Sequence, residues 1–366
     1  MGVQVQARKI EVVYSTQLVS FYFIFFIVFV DDQKIMAAAR SSRHDPDSDS
    51  PIDYVQIDGL VVLKIIKHCH EEGAGVTDVA QGVLLGLGVD NRLEITNCFP
   101  YPRHTDEEDF DEMEYQMEMM RHLRHVNVDH LHVGWYQSTH FGSFYNKPLL
   151  ESQFNYQSSI EESVVLIYDP MRTSRGFLSL RAYRLSNTAM KLYKEGEFTL
   201  DMLKNLHVSY SKMFEEITVI IRNSHLVNLL MCEIADWMPE EENNQFLDMG
   251  TASVLEKSLQ AMMECVDTVS QETNKLTNYQ RQVIKQQQAK NQHLQKREAE
   301  NKARIAKGEP PLPDDDINKL FKAIPPPSRL DALLVAGQID SYCKQISQFS
   351  AQNLAKLFMT EALQQK

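Results

Sequence analysis

The sequence predicts an α+β domain followed by a helical extension, on three observations. Short apolar or alternating runs at 82–88, 93–99, 130–136, 164–168 and 178–185 read as strands, with helical patterns interleaved among them over about 130 residues. After Ser186 the strand signals thin and helical periodicity dominates. Two proline clusters, Gly308-Glu-Pro-Pro-Leu-Pro313 and Pro325-Pro-Pro327, then cut off a last amphipathic segment, because proline removes a helix hydrogen bond and clashes with the preceding turn. A chain of 366 residues has room for about two such units.

The N-terminal end opposes a simple globular reading. Leu18 to Val30, LVSFYFIFFIVFV, is an apolar run of 13 residues, shorter than the roughly 20 a membrane-spanning helix needs, and no small-x-small cleavage site follows it before Asp31-Asp32. Its Phe, Val and Ile content would also suit an aggregation-prone strand. Met36 opens a small, polar stretch, so residues 1–35 are expected to be an upstream extension rather than an anchor. Residues 36–53, rich in Ser, Asp and Pro, have too few apolar groups to offset chain entropy and are expected to be disordered.

The α+β domain is assigned to 54–186. Val61, Leu63, Ile65 and Ile66 belong to a short helix ending near 71–75. Gly82-Val-Leu-Leu-Gly-Leu-Gly88 is a buried strand whose glycines allow close backbone approach, turned by Asp90-Asn91 into the alternating strand Leu93–Phe99. Between 106 and 121 eight carboxylates accompany Phe110, Met113, Met117 and Met120 at three- and four-residue spacing, which predicts an amphipathic helix with the Met stripe in the core. A third strand at 130–136, a second amphipathic helix at 149–163, and the pair 164–168 and 178–185 complete the domain.

The helical extension occupies 187–305. Leu255, Met262, Val269, Leu276 and Val283 recur every seven residues, with Leu259 and Val266 at the alternate core position, so the segment 255–283 reads as a coiled-coil seam. The alternate stripe fails at Thr273 and Gln280, and beyond 285 the helix becomes polar. The linker 306–327 leads to the final helix at 328–366, where Ser328-Arg-Leu-Asp331 suggests a capping box and Val335, Ile339, Tyr342, Ile346 and Phe349 form a stripe. An isolated helix with little core to cover is expected to dock on the domain or, as the favoured reading, on partner helices.

Composition narrows the function. The net charge is −13, which excludes a chain-wide polybasic surface, yet 275–307 holds nine Lys/Arg against two Glu. Lys290, Lys296 and Arg297 in that stretch are candidates for contact with RNA or ribosome, although Tyr279 is its sole aromatic residue for stacking. Five scattered Cys without a CxxC pair suit reduced intracellular thiols and a cytoplasmic setting. Neither His130-x-His132 nor His68-x-His70 has a carboxylate at helpful spacing, Ser138 lacks a local base and orienting acid, and no phosphate-binding glycine loop opens a helix.

Gly82-Val-Leu-Leu-Gly86, the strand ending Asn97-Cys-Phe-Pro100, and Val133-Gly-Trp-Tyr-Gln-Ser-Thr139 resemble the MPN (JAB1/MPN/Mov34) family. The resemblance implies a mixed, mainly antiparallel sheet flanked by helices. In active zinc isopeptidases of that family, two His, a Ser, an Asp and a general-base Glu build the site. Carried over by position, those places hold Gln137, Thr139, Lys147, Leu150 and Val79 here. An amide, a hydroxyl and an alkyl chain do not replace two imidazoles and a carboxylate as zinc ligands, so the resemblance implies an inactive domain with no cofactor, not an enzyme.

Among inactive members, Val55–Lys67, Tyr115–Met120, Asp129–Thr139, Glu161–Pro170, Gly308–Pro313 and Ala351–Met359 resemble the h-subunit family of eukaryotic translation initiation factor 3. That resemblance implies a non-catalytic scaffold in a multi-subunit complex, with an MPN partner subunit and helical-bundle subunits as neighbours. It further implies association with the 40S ribosomal subunit, support for mRNA and initiator tRNA recruitment, indirect or weak mRNA contact, and no membrane role.

Overall fold

Alternation of apolar side chains along the strands sets up two cores, one on each face of a single sheet. In a computed structural model the described residues are 51–72, 79–102, 111–128, 131–173, 178–196, 198–236, 249, 251–306 and 321–364. The apolar run at 18–30, most of the polar tail and the first proline cluster lie outside them. Seven strands, β1 (Tyr54–Ile57), β2 (Gln81–Val89), β3 (Arg92–Pro100), β4 (His132–Ser138), β5 (Val164–Tyr168), β6 (Leu180–Leu185) and β7 (Phe214–Ile221), close into a barrel in the order β1-β3-β2-β4-β5-β6-β7. Pairing is mixed: β1 is parallel to β3 and β7, β4 is parallel to β5, and the other neighbours are antiparallel.

The sheet runs past the boundary expected at 186, because β7 pairs with β6 and then with β1 to close the barrel. Four residues of β1 and a strand set among helical patterns gave too little period-two signal to register in the sequence. The hairpin β2–β3 follows the expectation, with Asp90 in the left-handed region at its turn. Its register slips between Leu85 and Gly86, where a Cβ on Gly86 would collide with the Glu94 carbonyl.

Within the barrel, α1 (Gly59–Glu72) buries Val61, Val62, Ile65, Ile66 and Cys69 against Ile57, Leu84, Ile95, Tyr136, Leu166 and Ile217. The opposite face takes the alternate residues Trp135, Val165, Ile167, Tyr183 and Leu185, covered by α3 (Lys147–Ser159). Gln153 of α3 is fully buried, accepting from Trp135 Nε1 at 2.9 Å and donating to the Ser163 carbonyl at 3.0 Å. A single turn, α4 (Pro170–Thr173), follows β5, and α5 (Asn187–Glu195) and α6 (Leu200–Asn205) add Leu192 and Leu203 to this second core.

Helix α2 (Glu112–His125) is capped by Asp111 but turned differently from the expectation. Tyr115, Met119 and Leu123 pack on Val83, Leu85 and Phe99, while Met113 and Met117 are 68% and 58% exposed. A run with Met at 113, 117, 119 and 120 carries two candidate apolar faces, and the aromatic Tyr115 selects the one that meets the sheet. Beyond the barrel, α7 (His225–Asp236) tucks Met231 into the first core and leaves Leu226, Leu229 and Leu230 outside. The extension ends in two long helices, α8 (Thr251–Ala306) and α9 (Leu330–Gln364).

Candidate functional site

The places that would hold zinc in an MPN enzyme carry an amide, a hydroxyl that is buried without a hydrogen bond, an ammonium and two alkyl side chains. Gln137 is buried at the end of β4, its Oε1 accepting from Gln81 Nε2 at 3.4 Å. Thr139 is buried too, its backbone N–H donating to the Tyr168 carbonyl at 2.8 Å, and Ser138 Oγ accepts from Ala80 N–H at 2.9 Å. Val79, next along, is half exposed. On α3, Lys147 points outward with its ammonium 3.7 Å from Glu151, whereas Leu150 is 1% exposed in the core with Trp135. The strand positions thus stay adjacent, while Lys147 and Leu150 are directed outward and into the core. This donor set does not fit zinc.

One histidine of each pair has its hydrogen-bond partners in the fold. His132 uses both ring nitrogens, Nδ1 with Gln116 Nε2 and Nε2 with the Gly134 carbonyl, each at 2.8 Å. Its burial lowers the imidazole pKa, which favours the neutral ring. His68 meets the Tyr136 hydroxyl at 2.9 Å, and His130 lies outside the described residues. Among the described residues, no three of His, Cys, Asp and Glu are grouped so as to hold a metal ion.

The loop after β4 is clasped by the chain's own last helix. Gln338 of α9, 4% exposed, accepts from the backbone N–H of Phe144 (3.1 Å) and Tyr145 (2.9 Å) and donates to the Gly142 carbonyl at 2.8 Å. Phe141 and Gly142 both have positive φ, and a Cβ on Gly142 would strike the Gln345 amide. Lys257 of α8 sits 5.1 Å from the centre of the Phe141 ring. Leu330 and Leu334 join the second core, Arg329 N–H donates to the Phe198 carbonyl, and Arg172 Nη2 reaches Gln348 at 2.6 Å. Of the two docking surfaces expected for this helix, the domain takes its first turns: Leu330, Leu334 and Gln338 fill a surface that the barrel leaves open.

At the seam among α8, α9 and α4 lies a cleft of about 570 Å³ including its mouth, with Asp169 and Arg172 beside Leu255, Ile346 and Phe349. Asp169 Oδ1 accepts from Arg172 N–H at 3.1 Å, while Oδ2 is buried without a hydrogen bond. Burial pushes the Asp169 carboxyl up to about 6, against the opposing pull of the Arg172 amide and guanidinium.

Helices α8 and α9 run antiparallel, with Met262 Sδ 3.9 Å from Cys343 Sγ and the Glu272 carbonyl accepting from Arg329 Nη1 at 3.3 Å. The heptad residues divide between two faces. Leu255, Met262, Val269, Val335, Ile339, Ile346 and Phe349 are half-buried and Tyr342 is 2% exposed. Leu259 and Val266 are 38% and 50% exposed, because Ser258, Cys265 and Glu272 take the inner positions in their place. The seam between α8 and α9 lies within the chain and uses Ser258 and Cys265, one residue before Leu259 and Val266; their small size suits close approach of α9, a criterion that an apolar-only reading passes over.

The basic residues also divide. Gln286 Nε2 donates to the Lys322 carbonyl at 2.6 Å and His293 stacks edge-on with Phe321, which identifies the face turned to the returning chain. Lys290 and Arg297 share that face and are half-buried, while Lys296, about 100° around the helix from Arg297, is exposed.

These features define a class: an MPN-fold domain whose metal positions carry other residues, continued by a helical region folded back on it. The family model described as the C-terminal region of eIF3h matches residues 173–366, and that described as JAB1/Mov34/MPN/PAD-1 ubiquitin protease matches 50–162. The chain is 56% identical to the H subunit of eukaryotic translation initiation factor 3 of Nematostella vectensis, over 90% of this chain and 99% of that protein. It is 56% identical to the Xenopus laevis H subunit over 90% and 99%, and 56% to that of Bombyx mori over 89% and 96%. The chain belongs to the H-subunit family of eukaryotic translation initiation factor 3.

Proposed function

We propose that the chain is a non-catalytic scaffold subunit of eukaryotic translation initiation factor 3 in the cytoplasm. In this reading its MPN domain pairs with another MPN subunit and its long helices enter a bundle with other subunits. The assembled complex then supports recruitment of mRNA and initiator tRNA to the 40S ribosomal subunit. The observation that carries the reading, beside the family, is the apolar surface that α8 and α9 leave uncovered after packing on each other. Leu259, Met263 and Val266 on α8 and Leu354, Leu357, Phe358 and Met359 on α9 are each at least 38% exposed. Apolar side chains in register on a helix gain free energy when buried, and a second helix is a surface that fits such a row.

The test is co-purification of tagged full-length chain with the other subunits. Leu259→Asp with Val266→Asp should abolish it while leaving the melting temperature unchanged, since both side chains face solvent. Retention of the full complex by that variant would defeat the bundle reading. A zinc isopeptidase is the competing function within the fold family, and the residues at 79, 137, 139, 147 and 150 argue against it. Stoichiometric tight zinc in the purified protein would reverse that conclusion.

A further inference from the structure

The far end of α8 carries an exposed cationic face. Arg281, Lys285, Gln288, Gln292, Lys296, Ala299 and Ala303 follow one another at offsets of three and four, so they lie on one side of the helix, and all are exposed. The flanking positions Asn278 and Gln295 add amides, Ile284 an exposed apolar side chain and Glu300 one carboxylate beside Lys296, so the strip is cationic overall in a chain of net charge −13. From Arg281 to Lys296 it extends about 22 Å at about 1.5 Å per residue. It points away from the side of α8 that touches Phe321 and Lys322.

We infer that this strip binds the phosphodiester backbone of RNA without reading its sequence. Two candidate occupants differ in what they require. An acidic helix from another protein would need a row of apolar positions to bury, because exposed ion pairs alone contribute little, and the strip offers one such side chain, Ile284 at its edge. A polyanion releases condensed counterions when Lys and Arg neutralise its phosphates, so charge alone supplies affinity. Gln and Asn amides between the cations add donors for phosphate and sugar oxygens. Base stacking is not part of the arrangement, since Tyr279, the aromatic residue nearest in sequence, is half-buried on the other face. The inference goes beyond the assembly reading, because it uses a surface distinct from the apolar one on which assembly rests.

The experiment is fluorescence anisotropy of the full-length chain with a labelled single-stranded RNA of mixed sequence, over a series of KCl concentrations. Three phosphate contacts give a slope of log K on log salt of about −2, or a loss of about 16-fold between 50 and 200 mM. Arg281→Gln, Lys285→Gln and Lys296→Gln together should remove most of the affinity and flatten the slope. Lys67→Gln, Lys191→Gln and Lys194→Gln, which change net charge equally on the MPN domain and α5, should leave both unchanged. The strip variant should still co-purify with the other subunits, which keeps this outcome separate from failure of the assembly reading. No RNA binding by the unaltered chain, equal losses in both triple variants, or equally tight binding of poly-glutamate would each overturn the inference.

Discussion

Helix α9 puts two similar stretches of sequence to opposite use. Its first four turns send Leu330, Leu334, Gln338 and Tyr342 into the chain's own domain, none more than 6% exposed. Its last turns hold Leu354, Leu357, Phe358 and Met359 in solvent, all at least 49% exposed. Both stretches are apolar at helical spacing, so periodicity alone does not tell an internal strut from an external contact. The difference lies in what is opposite: the first half faces the second core and the loop after β4, whereas the second half extends past the start of α8.

The largest effect should come from the docked half. Leu334→Ala removes a buried side chain from the core formed with Trp135, Tyr183 and Phe214, at a cost of about 4 kcal/mol in unfolding free energy. Urea denaturation of the full chain followed by Trp fluorescence reads it. If α9 were only loosely attached to the domain, the midpoint would not move and the contrast between its halves would collapse.

Gln338→Ala should follow at about 3 kcal/mol, because it leaves two backbone donors and one acceptor of the 142–145 loop unpaired. The same variant should raise amide hydrogen exchange at Phe144 and Tyr145. Exchange unchanged at both would show that the loop holds its shape without the helix.

Asp169→Asn examines the seam between domain and hairpin through pH. The Asp169 carboxyl is raised in the folded chain to about 6, so the folded state binds the proton more tightly than the unfolded one. Stability contributed by the protonated form is present below the unfolded value near 4 and is lost as pH rises through about 6. Asparagine keeps the Oδ1 acceptor for Arg172 N–H and does not titrate. Relative to the parent, the variant should therefore gain about 2–3 kcal/mol between pH 4 and 7, measured as the difference in unfolding free energy across that range. A constant difference across pH would place Asp169 in contact with water.

Strands β2 to β6 were legible as short apolar or alternating runs, because a strand buried on both faces is apolar throughout and one buried on a single face alternates. Val164-Val-Leu-Ile-Tyr168 alternates between the two cores residue by residue. Closure of the barrel was not legible, since β1 offers four residues and β7 owes its place to pairing with strands distant in sequence. The reading of residues 79, 137, 139, 147 and 150 rests on residue type, an argument that needs no distances. The division of Lys290 and Arg297 from Lys296 required the returning chain at 321–322 to give the helix an inner side.

The smallest effect on stability, and the most direct on assembly, belongs to the projecting half. Leu354→Asp with Phe358→Asp changes side chains that are 55% and 62% exposed, so unfolding free energy should stay within about 0.5 kcal/mol of the parent. Burying either carboxylate in a helix bundle without a partner carries a desolvation cost that the apolar original avoids. The double variant should therefore fold normally and fail to enter the complex, read by circular dichroism and co-purification together. Leu334→Ala should show the reverse signature, a less stable chain that still assembles at a temperature where it stays folded. If the two variants gave the same pattern, one helix would not be divided between internal and external duty.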